Sequence, residues 1–165
     1  MQRAYKMGTR SAIGYKTPEG KVVAKYSHYD GYVAGVGRTL VNHYQEARKI
    51  AQMVELGDQS FLAEEIFPTD KTHSFNTPQE GVTVFYGRDR GEDGVEAKEF
   101  DTVGDFVEYY EGAGCEYFYL HVNGEWIYHD RYGVGTDAMG LPIFDFLAPK
   151  VEAEVERLKK MGYEV

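Results

Sequence analysis

Tyr26-Ser27-His28-Tyr29-Asp30-Gly31-Tyr32 is the stretch whose reading decides the fold, because the chain changes its periodicity across it. Before it, Ser11 to Lys16 and Lys21 to Tyr26 alternate around Thr17-Pro18-Glu19-Gly20. Proline followed two residues later by glycine is turn chemistry, so the spacing predicts a β-hairpin. Ala12, Gly14 and Lys16 would share one face of it, with Ile13 and Tyr15 on the other. After the stretch, Val36, Leu40, Tyr44, Ala47, Ala51 and Val54 recur every three or four residues and draw one apolar stripe. That stripe predicts a long amphipathic helix opening through Gly35-Val36-Gly37 and stopped at Gly57. A polar, aromatic, glycine-punctuated segment between a strand and a helix is a common place for a small domain to build a site.

Farther out, Asp58 is positioned to cap a short second helix through Phe61, Leu62 and Ile66, which Phe67-Pro68 ends. Thr69 to Gly81 is polar and reads as a surface loop. Val82 to Tyr86 has strand composition, Gly87 to Gly94 reads as a charged turn, and Val95 to Phe100 as a returning strand. Asp101-Thr102 opens a helix closed by Gly112 and Gly114. Cys115 to Val122 and Glu125 to Asp130 alternate and meet at Asn123-Gly124, the favoured type I′ pair, which predicts a second hairpin. It sets Phe118, Leu120 and Val122 against Tyr117, Tyr119 and His121. Residues 132–165 read as a connector, whose Met139, Leu141, Ile143, Phe144 and Phe146 are expected to pack on the body, and a charged C-terminal helix. Hairpins dominate and helices arrive singly. The expected class is therefore α+β, a mainly antiparallel sheet of hairpins with helices packed on one face.

At 165 residues the chain suits a single domain over 1–165, with residues 1–6 as a flexible arm. Tyrosine is abundant, at 14 residues beside 9 Phe and 1 Trp, which suits a curved sheet or a binding face. The net charge of −9 is unevenly spread. Residues 1–57 hold 9 Lys+Arg against 4 Asp+Glu, and the remainder 9 against 23. An acidic chain lacks the clustered cations that nucleic-acid backbone binding needs. Its basic first third can hold one anion, and its acidic remainder can face a basic partner. A single cysteine, Cys115, excludes an internal disulfide and a cysteine zinc site and fits a reducing compartment. No run of apolar residues is long enough to span a membrane, and the start lacks the apolar core of a signal peptide, so a cytoplasmic location is expected.

His28 and Asp30 are the residues with most chemical potential. A carboxylate beside an imidazole can orient it as a general base, the pair can contact a ligand, or it can tie the hairpin exit to the helix by hydrogen bonds. No H-E-x-x-H or EF-hand pattern accompanies them, so no metal and no cofactor is expected. Tyr32, Gly35 and Gly37 stand at the helix entry, where free N–H groups can meet an anion or simply begin the helix. Arg10-Ser11 can supply a guanidinium and a hydroxyl to the same anion. Arg88 and Arg90, in Arg88-Asp89-Arg90-Gly91-Glu92, can clamp phosphate, or Asp89 and Glu92 can neutralise both. Cys115 has no nucleophile signature and reads as a buried thiol.

Gly8-Thr9-Arg10-Ser11, His28-Tyr29-Asp30-Gly31-Tyr32 with Gly35-Val36-Gly37 and Leu40, Leu56-Gly57-Asp58, Tyr86 to Glu92, and Tyr117-x-Tyr119 with Trp126 resemble a family of small uncharacterised proteins encoded by bacteriophages. The resemblance spans residues 7–130, with Tyr29 and Val33 where that family usually has tryptophan and proline. It implies a phage origin and a role in the host cell cytoplasm, and brings no activity, cofactor or catalytic residue. The expected function is that of a phage accessory or host-takeover protein acting by binding. It would either block a basic host or defence protein, or hold a small anionic, nucleotide-like ligand. The alternative is a small phosphodiesterase or hydrolase using His28 and Asp30. Edge strands of a hairpin-rich sheet also leave a homodimer open.

Overall fold

A computed structural model describes residues 7–165; the arm expected over residues 1–6 lies outside the described residues. The two expected hairpins are both present. The first joins β1 (Ser11–Lys16) to β2 (Val22–Ser27) in antiparallel register from Ser11↔Ser27 to Lys16↔Val22. The second joins β6 (Tyr117–Val122) to β7 (Glu125–Asp130), with Tyr117 opposite Asp130. Its turn residues Asn123 and Gly124 have φ of 52° and 79°, the two positive values a type I′ turn demands.

The two hairpins are neighbours in one sheet, and they meet in parallel: β1 pairs with β6 from Ser11↔Tyr117 to Tyr15↔His121. A second parallel contact joins β2 to β3 (Gln59–Phe61) at Ser27↔Gln59. Antiparallel partners complete the eight strands: β4 (Val84–Phe85) on β3, β5 (Lys98–Phe100) on β2, and β8 (Asp145–Phe146) on β7. The class is α+β, but the sheet is mixed rather than mainly antiparallel. Hairpins are locally antiparallel, whereas strands separated by helices are free to return in parallel.

Helices cover both faces, which corrects the expectation of one. Ile13 and Tyr119 face a core with Val36, Leu40, Tyr44, Ile50, Met53, Leu147 and Val151. These come from α1 (Arg38–His43), α2 (Ala47–Glu55), α5 (Leu147–Lys160) and the π-helical turn Val33–Gly37. Ala12, Ala24, Phe118 and Leu120 face the opposite way, against Phe106, Val107 and Tyr110 of α4 (Val103–Gly112). The alternation expected along both hairpins thus holds, with both sides dry. Thr102 caps α4, its Oγ1 accepting from the Asp105 N–H at 3.0 Å.

The single long helix expected over residues 36–54 is broken. Tyr44 leaves helical geometry at φ −126° and ψ 78°, and Glu46 is extended. The break frees the Tyr44 carbonyl to accept from Trp126 Nε1 at 2.8 Å, while the Tyr44 hydroxyl donates to the Ala63 carbonyl at 2.6 Å. A helix carbonyl engaged with its own i+4 amide would be a poorer partner for a buried indole. The interruption also shifts the phase, so that Ile50 and Met53 are buried where the stripe put Ala47 and Ala51.

Four other local expectations change. The helix expected from Asp58 is β3, because Gln59 and Ser60 continue the sheet beside Ser27, His28 and Tyr29. The strand at Val82–Tyr86 shortens to β4, and the charged turn after it is α3 (Tyr86–Arg90), stopped by Gly91 at φ 70°. Of the connector apolars, Phe144 packs on the α4 core, but Met139, Leu141, Ile143 and Phe146 are exposed.

Candidate functional site

The Tyr26–Tyr32 stretch forms a corner. Beyond β2 the chain keeps pairing with β3, as His28 N–H donates to the Gln59 carbonyl at 3.1 Å and Tyr29 N–H to that of Ser60 at 2.9 Å. It then turns at Asp30, whose φ of 59° is one of two left-handed values outside glycine among the described residues. Asp30 secures that conformation on three sides. Its Oδ1 accepts from Met7 N–H at 2.9 Å, its own N–H donates to the Met7 carbonyl at 2.8 Å, and its carbonyl accepts from Val36 N–H at 2.8 Å.

The corner requires two of its glycines to be glycine. A Cβ on Gly35 would sit 2.2 Å from the Asp30 carbonyl oxygen, and one on Gly31 would sit 2.7 Å from Ser11 Cβ. The Gly31 carbonyl in turn accepts from the buried Tyr119 hydroxyl at 2.6 Å, locking corner to hairpin. Gly35 N–H donates to the Tyr32 carbonyl at 3.0 Å, and Gly37 packs near Leu147 and Tyr119. Gly35 and Gly37 therefore serve helix entry and close packing, with Tyr32 as the residue at which the π-helical turn begins.

His28 and Asp30 are both at the corner, but they are not a pair. The His28 ring shares a hydrogen bond with Tyr26, Nδ1 to hydroxyl at 2.7 Å, and meets Tyr29 edge-on at 4.5 Å between centroids. Tyr26 and His28 are two apart on an extended chain, so the alternation that defines the hairpin brings them to one face. Tyr26 is the partner that a search for carboxylates overlooks. Partial burial lowers the His28 pKa, and the nearby Arg10 guanidinium lowers it further. Burial likewise pushes the Tyr26 phenol up to about 12, with Arg10 acting the other way. The surroundings thus disfavour the charged imidazole, with a phenol rather than a carboxylate to orient it.

Arg10 and Ser11 separate. Ser11 is fully buried beneath Gly31 on the α1–α2 face, and its hydroxyl has no hydrogen-bond partner among the described residues. Arg10 is exposed, with one long contact from Nη1 to the Ala113 carbonyl at 3.4 Å. Adjacent residues on a strand project to opposite faces, so the two cannot hold one anion between them. Cys115, also near Arg10, is buried, and its thiol is pushed up to about 12 by that burial.

Arg88 and Arg90 take their neutralised alternative. Arg88 Nε and Nη2 meet the Asp89 carboxylate at 2.8 and 3.0 Å, Nη1 donates to the Ile66 carbonyl at 2.6 Å, and Nη2 to that of Thr83 at 3.0 Å. Asp89 also accepts from Phe85 N–H at 2.8 Å and lies 3.3 Å from His73 Nε2. Arg90 pairs with Glu92 at 2.5 Å and lies over the rings of Phe75 and Tyr86. Both guanidiniums are thus engaged by neighbouring carboxylates.

One buried charge escaped sequence reading. Lys25 is fully enclosed, its Nζ donating to the Met53 carbonyl at 2.6 Å near the end of α2 and lying 4.5 Å from the Phe85 ring centroid. Burial lowers its pKa well below that of a free lysine. The alternation of the first hairpin assigns residue 25 to the same face as Ile13, and that was the available signal.

No group of three or more His, Cys, Asp or Glu among the described residues is placed to hold a metal ion, and no described helix is long and apolar enough to cross a membrane. No protein-family model, curated protein or solved structure matches the chain.

Proposed function

We propose that the protein acts by binding, and that the Arg10–Tyr26–His28 corner receives a small anionic, nucleotide-like ligand. The observation that carries this reading is the state of Arg10. It is a solvent-facing guanidinium beside a phenol and an imidazole whose charged form is disfavoured, with no carboxylate in ion-pair contact among the described residues. Such a group retains its donors for an incoming phosphate or carboxylate. Turnover has weaker support, because His28 lacks a carboxylate to hold it as a base. The resemblance to small phage proteins would place this binding in an infected bacterial cell, as an accessory or host-takeover activity. A panel of nucleotides and cyclic dinucleotides in thermal-shift assays tests the reading. At least one should raise the melting temperature, and His28→Ala should weaken that response without unfolding the protein. A flat panel would count against a small-ligand role.

A second reading, blockade of a basic host or defence protein, draws on the exposed Met139, Leu141, Ile143 and Phe146 within the acidic part of the chain. A salt-sensitive partner recovered by pull-down, and lost when Phe146 and Leu141 are replaced by serine, would favour it.

A further inference from the structure

Beside the corner lies a cleft of about 470 Å³, lined by Tyr29, Ser60, Phe61, Phe75, Asn76, Pro78 and Val84. That volume is within the range of small-ligand sites. Three of the seven lining residues are aromatic and none is charged, so the cleft suits a flat, uncharged ring rather than a phosphate. Tyr29 belongs to both places, since its ring lines the cleft and meets His28 edge-on.

The outer wall is residues 67–81, a stretch with no helix or strand of its own. Loops of that length are uncommon in small domains unless they are binding elements. This one is fastened from inside. His73 Nδ1 accepts from Gln79 N–H at 3.0 Å, which leaves Nε2–H to donate toward Asp89 at 3.3 Å. The His73 and Asp89 side chains are only 3% and 5% exposed, and Asp89 is also gripped by Arg88. At the tip, Ser74 and Thr77 hydroxyls bond to each other at 2.8 Å, and Phe75 N–H donates to the Asp89 carbonyl at 3.2 Å. Arg90 lies over Phe75 and Tyr86, with ring centroids at 4.3 and 4.8 Å. A buried polar anchor is thus used to hold one aromatic ring and one exposed carboxamide, Phe75 and Asn76, against the sheet. Preorganising a contact surface in this way lowers the ordering cost of binding.

We infer that this cleft is a nucleobase site. The base lies against Phe75 and Tyr29, Asn76 offers a donor and an acceptor to its edge, and the phosphate reaches the Arg10–His28 corner. The inference rests on the proposed anion-binding corner for the phosphate alone; the ring site stands on the cleft. Stacking on aromatic side chains tolerates every base and contributes substantially per ring.

The intact protein should be titrated, by calorimetry or tyrosine fluorescence, with adenosine and guanosine monophosphates, the matching nucleosides, and inorganic pyrophosphate. Variants should be Phe75→Ala, Asn76→Trp to fill the mouth from an exposed position, and Arg10→Gln. Nucleotides should bind, Phe75→Ala and Asn76→Trp should each weaken them by ~10-fold or more, and Arg10→Gln should weaken nucleotides while sparing nucleosides. Nucleosides that bind with no gain from phosphate would uphold the cleft and overturn the corner. Pyrophosphate that binds, with both cleft variants silent, would overturn the cleft and uphold the corner. No binding by any of these ligands would overturn both.

Discussion

Two arginine-bearing segments look alike in sequence and behave differently in the fold. Arg88-Asp89-Arg90 sits in α3 with its charge consumed: Arg88 spends its donors on Asp89 and two carbonyls, and Arg90 on Glu92. Arg10 stands at the entrance to β1 with one long contact to a carbonyl. A guanidinium is available to a ligand when neighbouring elements leave its donors unmet. Arg88 is met by groups from residues 66 and 83, brought to it by tertiary structure. Arg10 is near a histidine and a phenol, which cannot neutralise it. One segment is architecture, and the other carries the proposed anion site.

The contrast breaks most visibly at Asp89. Asp89→Asn leaves the half-buried Arg88 without its carboxylate and should cost about 1.5–3 kcal/mol in urea denaturation. Amide exchange across residues 67–81 should rise with it, and a variant as stable as the parent would mean that the network is decorative. Next comes the corner. Gly35→Ala forces a methyl against the Asp30 carbonyl and should cost about 1–3 kcal/mol by the same measurement.

Lys25→Met should have a smaller effect on stability, within about 1.5 kcal/mol at neutral pH, because a lost bond to Met53 offsets the relief of a buried amine. Its signature is in pH. Burial sets the folded-state pKa of Lys25 below the 10.5 of a free lysine. Between those values the unfolded chain binds more protons, so stability rises as pH climbs through the window and levels off above it. Lys25→Met should flatten that rise in unfolding curves taken at a series of pH values; an unchanged slope would refute the assignment to Lys25.

The sequence was most informative where contacts are local. Both hairpins, the Asn123-Gly124 turn, the Thr102 cap and the facing of Tyr119 against Phe118 follow from alternation and turn chemistry over a few residues. The parallel union of β1 with β6 joins residues more than a hundred apart, and no local pattern encodes it. The Tyr44 break has the same origin, since its reason is an indole at residue 126. At the site, the adjacency of His28 and Asp30 in sequence suggested a pair, yet the left-handed turn at Asp30 directs its carboxylate to Met7. His73 went unremarked because its partner, Asp89, lies sixteen residues on across an irregular loop.

Arg10 and Arg88 should be replaced separately with glutamine, and pyrophosphate affinity and thermal stability measured for each. Arg10→Gln should keep the melting temperature within the effect of a surface change, about 0.5 kcal/mol, and lose most of the affinity. Arg88→Gln should lower stability markedly, and whatever remains folded should still bind. Undiminished affinity in Arg10→Gln, or affinity lost only with Arg88, would contradict an anion site at Arg10 and a structural role for Arg88.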